Sequence, residues 1–453
     1  VSQTIRIPYN FNPRSYQLRF LNAFDRGFKR FVGVLHRRAG KDKTFLNMMV
    51  KGMLQRVGVY WYLAPTYTHG KKIIWDGIGS DGFKFIDHVP KALIAGKNDQ
   101  EMKITLRNNS ILQVIGTDKI GDGIVGPNPV GVVFSEFSLM DPTAYNLIRP
   151  ILRENRGWMA FAYTPRGKNH GYKLYQTAIK YPETWYTELL TINDTRRDGE
   201  GEDGTPVLTE QDIEEERREG VDEELIQQEY YCSWEGYLQG SYYGKILQQL
   251  EKKGQVGNYP WIPELPVDTW WDIGQSDATA IWFSQSHAGE AVHFIDYLEE
   301  SGEGLPTYAK WLKEKPYVYG RHFFPWDMEV KDWVTGEARK DTAYRLGIRP
   351  QQIAPKRGVQ EGIDACRKVL PFCYFDRGQC ERGLFALGAY HKEWDEKMAC
   401  FRASPVHDWS SHGADGFRTF GIMNRRRSKG SIRASAERAA SMQAIMEYDP
   451  FVH

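Results

Sequence analysis

Gly40-Lys41, within "LHRRAGKDKT" (35–44), is the pair with which a phosphate-binding loop holds a nucleotide. Such a loop surrounds phosphates with backbone N–H groups and the start of a helix, and its lysine adds a point charge. The spelling departs from G-x-x-x-x-G-K-[ST] at two places: Leu35 replaces the first glycine, and Asp42 replaces the Ser/Thr after the lysine. Three other stretches bear on the same chemistry. "VVFSEF" (132–137) is an apolar run ending in Glu136, where ATPases place a carboxylate that orients the attacking water. The position before it, where an Asp commonly helps to hold magnesium, is Ser135. "AYTPRG" (162–167) ends a later apolar run, as a motif coupling nucleotide to DNA does in motor ATPases. "NPRSYQ" (12–17) puts Gln17 ahead of the first strand, where an adenine-reading glutamine sits.

A second constellation is made of carboxylates. Asp272, Asp327 and Asp415 each lie just beyond or beside an apolar strand or helix signal. Two-metal phosphodiester cleavage needs several carboxylates converging on cations about 3.5–4 Å apart. Hard oxygen ligands suit magnesium or manganese. Asp277 and Asp408 are further ligand candidates, and His412 is a candidate for outer contact or proton transfer. Asp296 reads as an ordinary structural carboxylate.

These residues need elements to position them. "RFVGVL" opens a short buried strand (30–36), and "TFLNMMVKGMLQR" (44–56) has helical periodicity. "GVYWYLAPTY" is a strand stopped by Pro65. "KITLRNNSILQVIG" is a hairpin turning at Asn108-Asn109. "VGVVFSEFSLM" and "WMAFAYTPRG" are continuous apolar runs, as strands buried on both faces should be. Strands alternating with helices imply a parallel sheet with crossover helices. Residues 198–224 then change character: a Gly/Asp loop precedes a strongly charged helical stretch with Thr209 as N-cap and Asp212 three residues on. A second sheet begins near 267, with "VDTWWDIGQSDATAIWFSQ" and "AVHFIDYLEE" as adjacent strands turning at "SHAGE". "RHFFPWDME" is a strand followed by its carboxylate, and "HDWSSHGADGFRTFGIM" a loop passing into a helix.

The chain has 453 residues, more than one core accommodates, so two or three domains are expected. A net charge of +1 rules out a whole-chain basic field but permits a local basic groove. The five cysteines fit neither a disulfide framework nor a zinc pattern, so free thiols in a reducing compartment are expected. No apolar run reaches the ~18 residues of a membrane span, and the first residues lack the apolar core of a signal peptide. The expectation is a soluble intracellular protein.

In their order, these stretches resemble the large terminase subunit of tailed bacteriophages, over about residues 12–423. "PRSYQ" resembles its adenine motif, "HRRAGKD" its variant Walker A loop, and "APTYTHGKKIIW" the segment after the second strand. "VVFSEFSLMD" resembles its Walker B strand, "YTPRG" its coupling motif and "QQEYYCSWEG" its closing segment before the nuclease. "DIGQSDATA", "PWDM" and "HDWSSHGADGFR" resemble its RNase H-like nuclease. The resemblance implies an α/β chain with a P-loop ATPase core (1–197), a charged lid or linker (198–240), an RNase H-like nuclease (241–424) and a basic tail (425–453). ATP and Mg2+ would be its cofactors, with Mn2+ an alternative at the nuclease. Gln17, Arg38, Ala39, Gly40, Lys41, Asp42, Lys43 and Thr44 would meet the nucleotide. Glu136 would position water, and Arg37 or Arg38 would stabilise transition-state charge. Asp272, Asp327 and Asp415, with Asp277 and Asp408 as further candidates, would hold the nuclease metals. The implied partners are double-stranded DNA, the terminase small subunit and the portal of a procapsid in the host cytoplasm. The resemblance also implies a ring on the portal and allows a monomer as the free chain. With Ser135 and Asp42 departing from the pattern, Asp42 or Thr44 is left to hold the magnesium. Two alternatives are a helicase-nuclease of repair or recombination and a non-enzymatic DNA-binding assembly protein. Five Lys/Arg between 425 and 433 would give a duplex-binding salt slope of about −4.5 if each neutralised one phosphate.

Overall fold

The computed structural model describes residues 9–79, 82–119, 128–198, 204–236, 240–274, 278–287, 291–331, 336–395 and 400–424. Asp277 and the basic tail lie outside them. The chain divides into two units, Val1–Gly236 and Tyr237–His453.

The first unit is built on an eight-stranded sheet. Its strands in chain order are β1 (Arg30–Leu35), β2 (Val59–Ala64), β3 (Ile94–Asn98), β4 (Lys103–Leu106), β5 (Ile111–Gly116), β6 (Pro129–Ser135), β7 (Trp158–Tyr163) and β8 (Trp185–Leu190). In space they run β3-β4-β5-β2-β6-β7-β1-β8. The stretch from β5 to β8 is parallel, and β3 and β4 add an antiparallel edge. Asn109 turns the β4–β5 hairpin with φ 68°, a conformation that asparagine tolerates. All seven residues of β6 are buried because helices cover both faces of the sheet. Along β1, Phe31 and Leu35 enter one core while Val32 and Val34 enter the other, as the two-residue period of a strand dictates. Helices Lys41–Gln55, Thr143–Glu154 and His170–Lys180 make the crossovers after β1, β6 and β7.

The charged stretch after β8 is two helices, Glu210–Arg218 and Glu223–Tyr231. Thr209 caps the first through the reciprocal contact with Asp212 read from the sequence. The pair buries Ile213, Ile226 and Tyr230 against Ile192, so this segment has a small core of its own within the first unit.

The second unit holds β9 (Val256–Gly257), β10 (Val267–Asp272), β11 (Ala278–Ser286), β12 (Val292–Ser301), β13 (Tyr319–Phe324), β14 (Gln351–Ile353) and β15 (Cys373–Asp376). Their spatial order is β14-β13-β10-β11-β12-β15-β9, with β10, β11 and β12 antiparallel neighbours. Here the sequence reading needs correction. "VDTWWDIGQSDATAIWFSQ" is two strands, β10 and β11, broken after Asp272. Between them the sequence carries "IGQSD" (273–277), a Gly- and Asp-containing breaker that a reading as one run passes over.

Helix Trp409–Met423 lies across β10 and β11. Trp282 Nε1 donates to the Gly413 carbonyl at 2.8 Å, and Thr419 Oγ1 donates to the Trp271 carbonyl at 3.1 Å. A Cβ at Gly413 would stand 2.8 Å from the Tyr297 hydroxyl, and one at Gly421 would stand 2.6 Å from Cys366 Sγ. Gly413 therefore lets this helix sit close on the sheet, and Gly421 lets it sit close on the helix Val359–Val369. Cys232, Cys366, Cys373 and Cys380 are buried free thiols. No helix among the described residues is long and apolar enough to cross a membrane.

His322 ties β13 to β10, the strands that lead to Asp327 and Asp272. Its Nδ1 pairs with Thr269 Oγ1 at 2.7 Å, and Thr269 Oγ1 accepts from Trp271 Nε1 at 2.7 Å. Burial pushes the His322 pKa down to about 3, so the imidazole in this pair is neutral. A histidine neutral in the fold but ordinary when unfolded takes up its proton only on unfolding. Its stabilisation is therefore complete above about pH 6.5 and is lost as the pH falls towards the folded value, at up to ~1.4 kcal/mol per pH unit. Replacing His322 by Asn should flatten the dependence of urea-unfolding free energy on pH between 4 and 6.5 by about one proton. An unaltered slope would contradict this account.

Candidate functional site

Strands β6, β7 and β1 are parallel neighbours in register, Ser135 beside Ala162 and Tyr163 beside Val34. Their carboxyl ends therefore open at one level, where open α/β sheets bind ligands. Just beyond those ends lie Glu136, Thr164 and Lys41. Lys41 Nζ is 2.8 Å from Glu136 Oε1 and donates to Thr164 Oγ1 at 3.2 Å. The Thr164 hydroxyl donates to the Leu35 carbonyl at 2.8 Å, fixing β7 against the start of the loop. Glu136 has left-handed backbone (φ 55°), and its N–H donates to the Ala162 carbonyl at 2.6 Å. Its Oε2 is buried and has no hydrogen-bond partner among the described residues. Burial by itself would discharge both partners. For Lys41 the carboxylates of Glu136 and Asp42 outweigh it and hold the ammonium above its ordinary pKa. For Glu136 the charges of Lys41 and Arg166 outweigh it and hold the carboxyl below its ordinary pKa.

The loop between β1 and the Lys41 helix is pinned by the helix Ser15–Asp25. Tyr16 donates its hydroxyl to the Ala39 carbonyl at 2.8 Å. Gln17 is buried, accepts the Arg14 N–H at 2.9 Å and donates Nε2 to the Gly40 carbonyl at 3.4 Å. Gly40 has φ +76°, and a Cβ there would come 3.0 Å from Gln17 Nε2. The glycine therefore serves both the turn and the contact. The Lys41 helix starts with no side-chain cap, which leaves its first amides directed at the space before it. Arg37 and Arg38 are exposed, and Lys43 is partly exposed with its carbonyl accepting from Asn47 Nδ2 at 2.7 Å.

The two departures from the phosphate-loop pattern touch each other. Ser135 Oγ donates to Asp42 Oδ1 at 2.5 Å, and the Tyr62 hydroxyl donates to the same oxygen at 2.7 Å. Thr44, the other candidate after the lysine, is buried with its hydroxyl donating to the Gly40 carbonyl at 3.0 Å within its own helix. Sequence reasoning overlooked Tyr62, Thr164, Arg166 and Glu229. Thr164 and Arg166 lie inside the quoted "TPRG". Arg166 makes an ion pair with Glu229, whose carbonyl accepts the Arg37 N–H at 2.7 Å. Glu229 had no signal beyond its place in "QQEYY".

In the second unit Asp272 closes β10, and its Oδ2 is 4.0 Å from His412 Nδ1 on the Trp409 helix. Asp415, on the same helix, is paired with Arg418 at 2.7 Å. Burial raises the Asp415 pKa against the opposing charges of Arg418, His412 and His407. Asp327 lies in the short turn Trp326–Glu329 after β13, and its Oδ1 is buried without a hydrogen-bond partner among the described residues. Among the described residues no three His, Cys, Asp or Glu side chains are grouped so as to hold a metal ion. Asp327 lies in its own turn, Asp415 is paired with Arg418, and Asp272 faces His412. Asp408 is the helix cap, accepting the Ser410 N–H at 2.9 Å, which accounts for its place at the start of the helix. Asp296 is buried and serves Lys315 and Tyr317, as a structural carboxylate should.

No family model matches the chain, and no curated protein matches it. Among solved structures it is similar to the large terminase of a thermophilic bacteriophage in complex with ADP. Identity there is 15%, the match covers 90% of this chain and 98% of that one, and the TM-score is 0.37. The ATPase domain of the Thermus phage P74-26 large terminase is 19% identical over 49% of this chain and 94% of its own, with a TM-score of 0.38. The P22 large terminase nuclease domain is 14% identical over 40% and 93%, with a TM-score of 0.31.

Breaking a buried ion pair from one side leaves an uncompensated charge, typically at ~3–5 kcal/mol. Lys41→Ala should therefore destabilise the chain by about that amount, and adding Glu136→Gln should recover part of the loss. Urea unfolding of the two single variants and the double variant measures the coupling. Strictly additive losses would show that the pair carries none.

Proposed function

We propose that this chain is the large terminase subunit of a tailed bacteriophage: an ATP-driven translocase of double-stranded DNA joined to a divalent-metal endonuclease. The observation that carries the ATPase part is the Lys41–Glu136 pair at the ends of three neighbouring parallel strands, before an uncapped helix start. In this reading Lys41 leaves Glu136 for the β- and γ-phosphates, and the first amides of its helix receive the remaining phosphate oxygens. Gln17 meets the adenine from beside Gly40. A water oxygen bonds to the γ-phosphorus while the bond to the β–γ bridging oxygen breaks. The proton of the water passes to Glu136, whose Oε2 has no competing hydrogen bond, and ADP and phosphate leave.

Asp42 and Ser135 fit a magnesium ion: a carboxylate and a hydroxyl already in contact are the hard oxygen donors that such a site uses, with their two positions exchanged. Magnesium, when bound there, neutralises phosphate charge. Small subunit, portal and ring assembly follow from the same family reading, which the ordered motifs support. DNA-stimulated ATP hydrolysis should be lost in Lys41→Ala. Asp42→Ala should raise the magnesium concentration for half-maximal hydrolysis about tenfold or more, one ligand contact being worth at least ~1.4 kcal/mol. Equal rates in wild type and Lys41→Ala would sink the motor reading. An unshifted magnesium titration of Asp42→Ala would remove the exchange alone.

The nuclease part is favoured by Asp272 facing His412 at the end of β10 and by the unpartnered Oδ1 of Asp327. Asp272, Asp327 and Asp415 would be the carboxylates that hold its divalent cations, and no cleavage step is assigned to them. Metal-dependent cleavage of plasmid DNA should disappear in Asp272→Ala and persist in Lys41→Ala. Cleavage by Asp272→Ala at the wild-type rate would exclude this carboxylate.

A further inference from the structure

Arg37 and Arg38 are the arginines that the sequence offers for transition-state charge, yet both are exposed on the loop. Another arginine is enclosed. Arg166 stands two residues past Thr164, which receives Lys41 Nζ, and its side chain is 15% exposed. It is close enough to Glu136 to lower that carboxyl's pKa and close enough to Lys41 to oppose its charge. Its partner Glu229 is 9% exposed in its side chain and rides on the helix Glu223–Tyr231. The backbone carbonyl of Glu229 also holds the Arg37 N–H. One residue of the charged segment thus touches both the phosphate loop and the segment after β7.

A buried guanidinium needs a counter-charge, and Glu229 supplies it here. A terminal phosphate carries more charge than a carboxylate and accepts a planar guanidinium through two hydrogen bonds. We propose that Arg166 is the arginine this chain offers in cis to the terminal phosphate, and that Glu229 is the positioning residue that holds it ready. The proposal rests on the ATPase reading. Arg166 exchanges no proton and forms no covalent bond. It compensates the charge that builds on the phosphate oxygens as the bond to ADP breaks.

The test compares full-length wild type, Arg166→Ala, Arg166→Lys and Glu229→Gln. It reads kcat and KM for DNA-stimulated ATP hydrolysis, together with equilibrium binding of a fluorescent ADP analogue. Arg166→Ala should lose about a thousandfold or more in kcat, the scale of an arginine acting on phosphoryl transfer. Its affinity for the ADP analogue should stay within about threefold, because the contact is made with the terminal phosphate. Arg166→Lys and Glu229→Gln should each lose about tenfold in kcat with the same unchanged binding, since a lysine lacks the fork and an unheld arginine is misdirected. Should Arg166→Ala fail to fold, Arg166→Lys decides. A hydrolysing wild type with Arg166→Lys at full kcat overturns the proposal and leaves the ATPase reading intact. Parallel loss of kcat and ADP binding overturns it as well, because that marks a structural role. A wild type that neither binds the ADP analogue nor hydrolyses ATP overturns the ATPase reading and the proposal together.

Discussion

A lysine ammonium out of water must have a counter-charge, and for Lys41 that is Glu136. The architecture of the first unit follows from bringing these two together. They are about a hundred positions apart in the chain, and only the order β6-β7-β1 sets their strand ends side by side. Continuous apolar strands allow helices on both faces, which leaves the carboxyl edge as the place where polar side chains collect. Thr164 then locks the third strand end to the pair, and Gly40 supplies the turn that aims the helix at it. The strained backbone at Glu136 belongs to the same constraint: a left-handed residue costs about 1 kcal/mol or more, and the surrounding contacts must repay it.

Much of this was legible in the amino-acid order. The strand before Lys41, the hairpin at Asn109 and the cap at Thr209 each rest on local chemistry, and local chemistry is what a sequence displays. The placement of Lys41 near Glu136 required a topology, which the alternation of strands and helices implied. What stayed hidden depends on contacts across the sheet. Tyr62 reads as one more apolar strand residue until its hydroxyl is seen on Asp42. Glu229 reads as one more charge in a charged run until it is found buried against Arg166. The break between β10 and β11 was not hidden: "IGQSD" (273–277) has the composition of a breaker, and the reading as one run passed over it. Of the carboxylates, the sequence placed Asp272 and Asp327 beyond strands and Asp415 at a helix, but had no means of showing that Arg418 takes the last of them.

On the reading proposed for Ser135 and Asp42, a motif would keep its chemistry while losing its spelling. What a magnesium site would require there is one carboxylate and one hydroxyl within hydrogen-bonding reach. Whether the carboxylate stands on the helix or on the strand matters less than their meeting, which Tyr62 reinforces by donating to the same oxygen.

The bare glycine face of the Trp409 helix has a mechanical consequence. Where side chains separate two elements, a change of rotamer can alter their spacing. Here Gly413, Gly416 and Gly421 put helix backbone almost directly on the sheet and its neighbours, with no room for even a methyl group at Gly413 or Gly421. The height of His412 and Asp415 above the end of β10 is thus a property of two stiff bodies in contact. Local repacking can retract the Arg418 guanidinium, but it cannot raise or lower the carboxylate mount. Any adjustment of that height has to be a displacement of the whole helix.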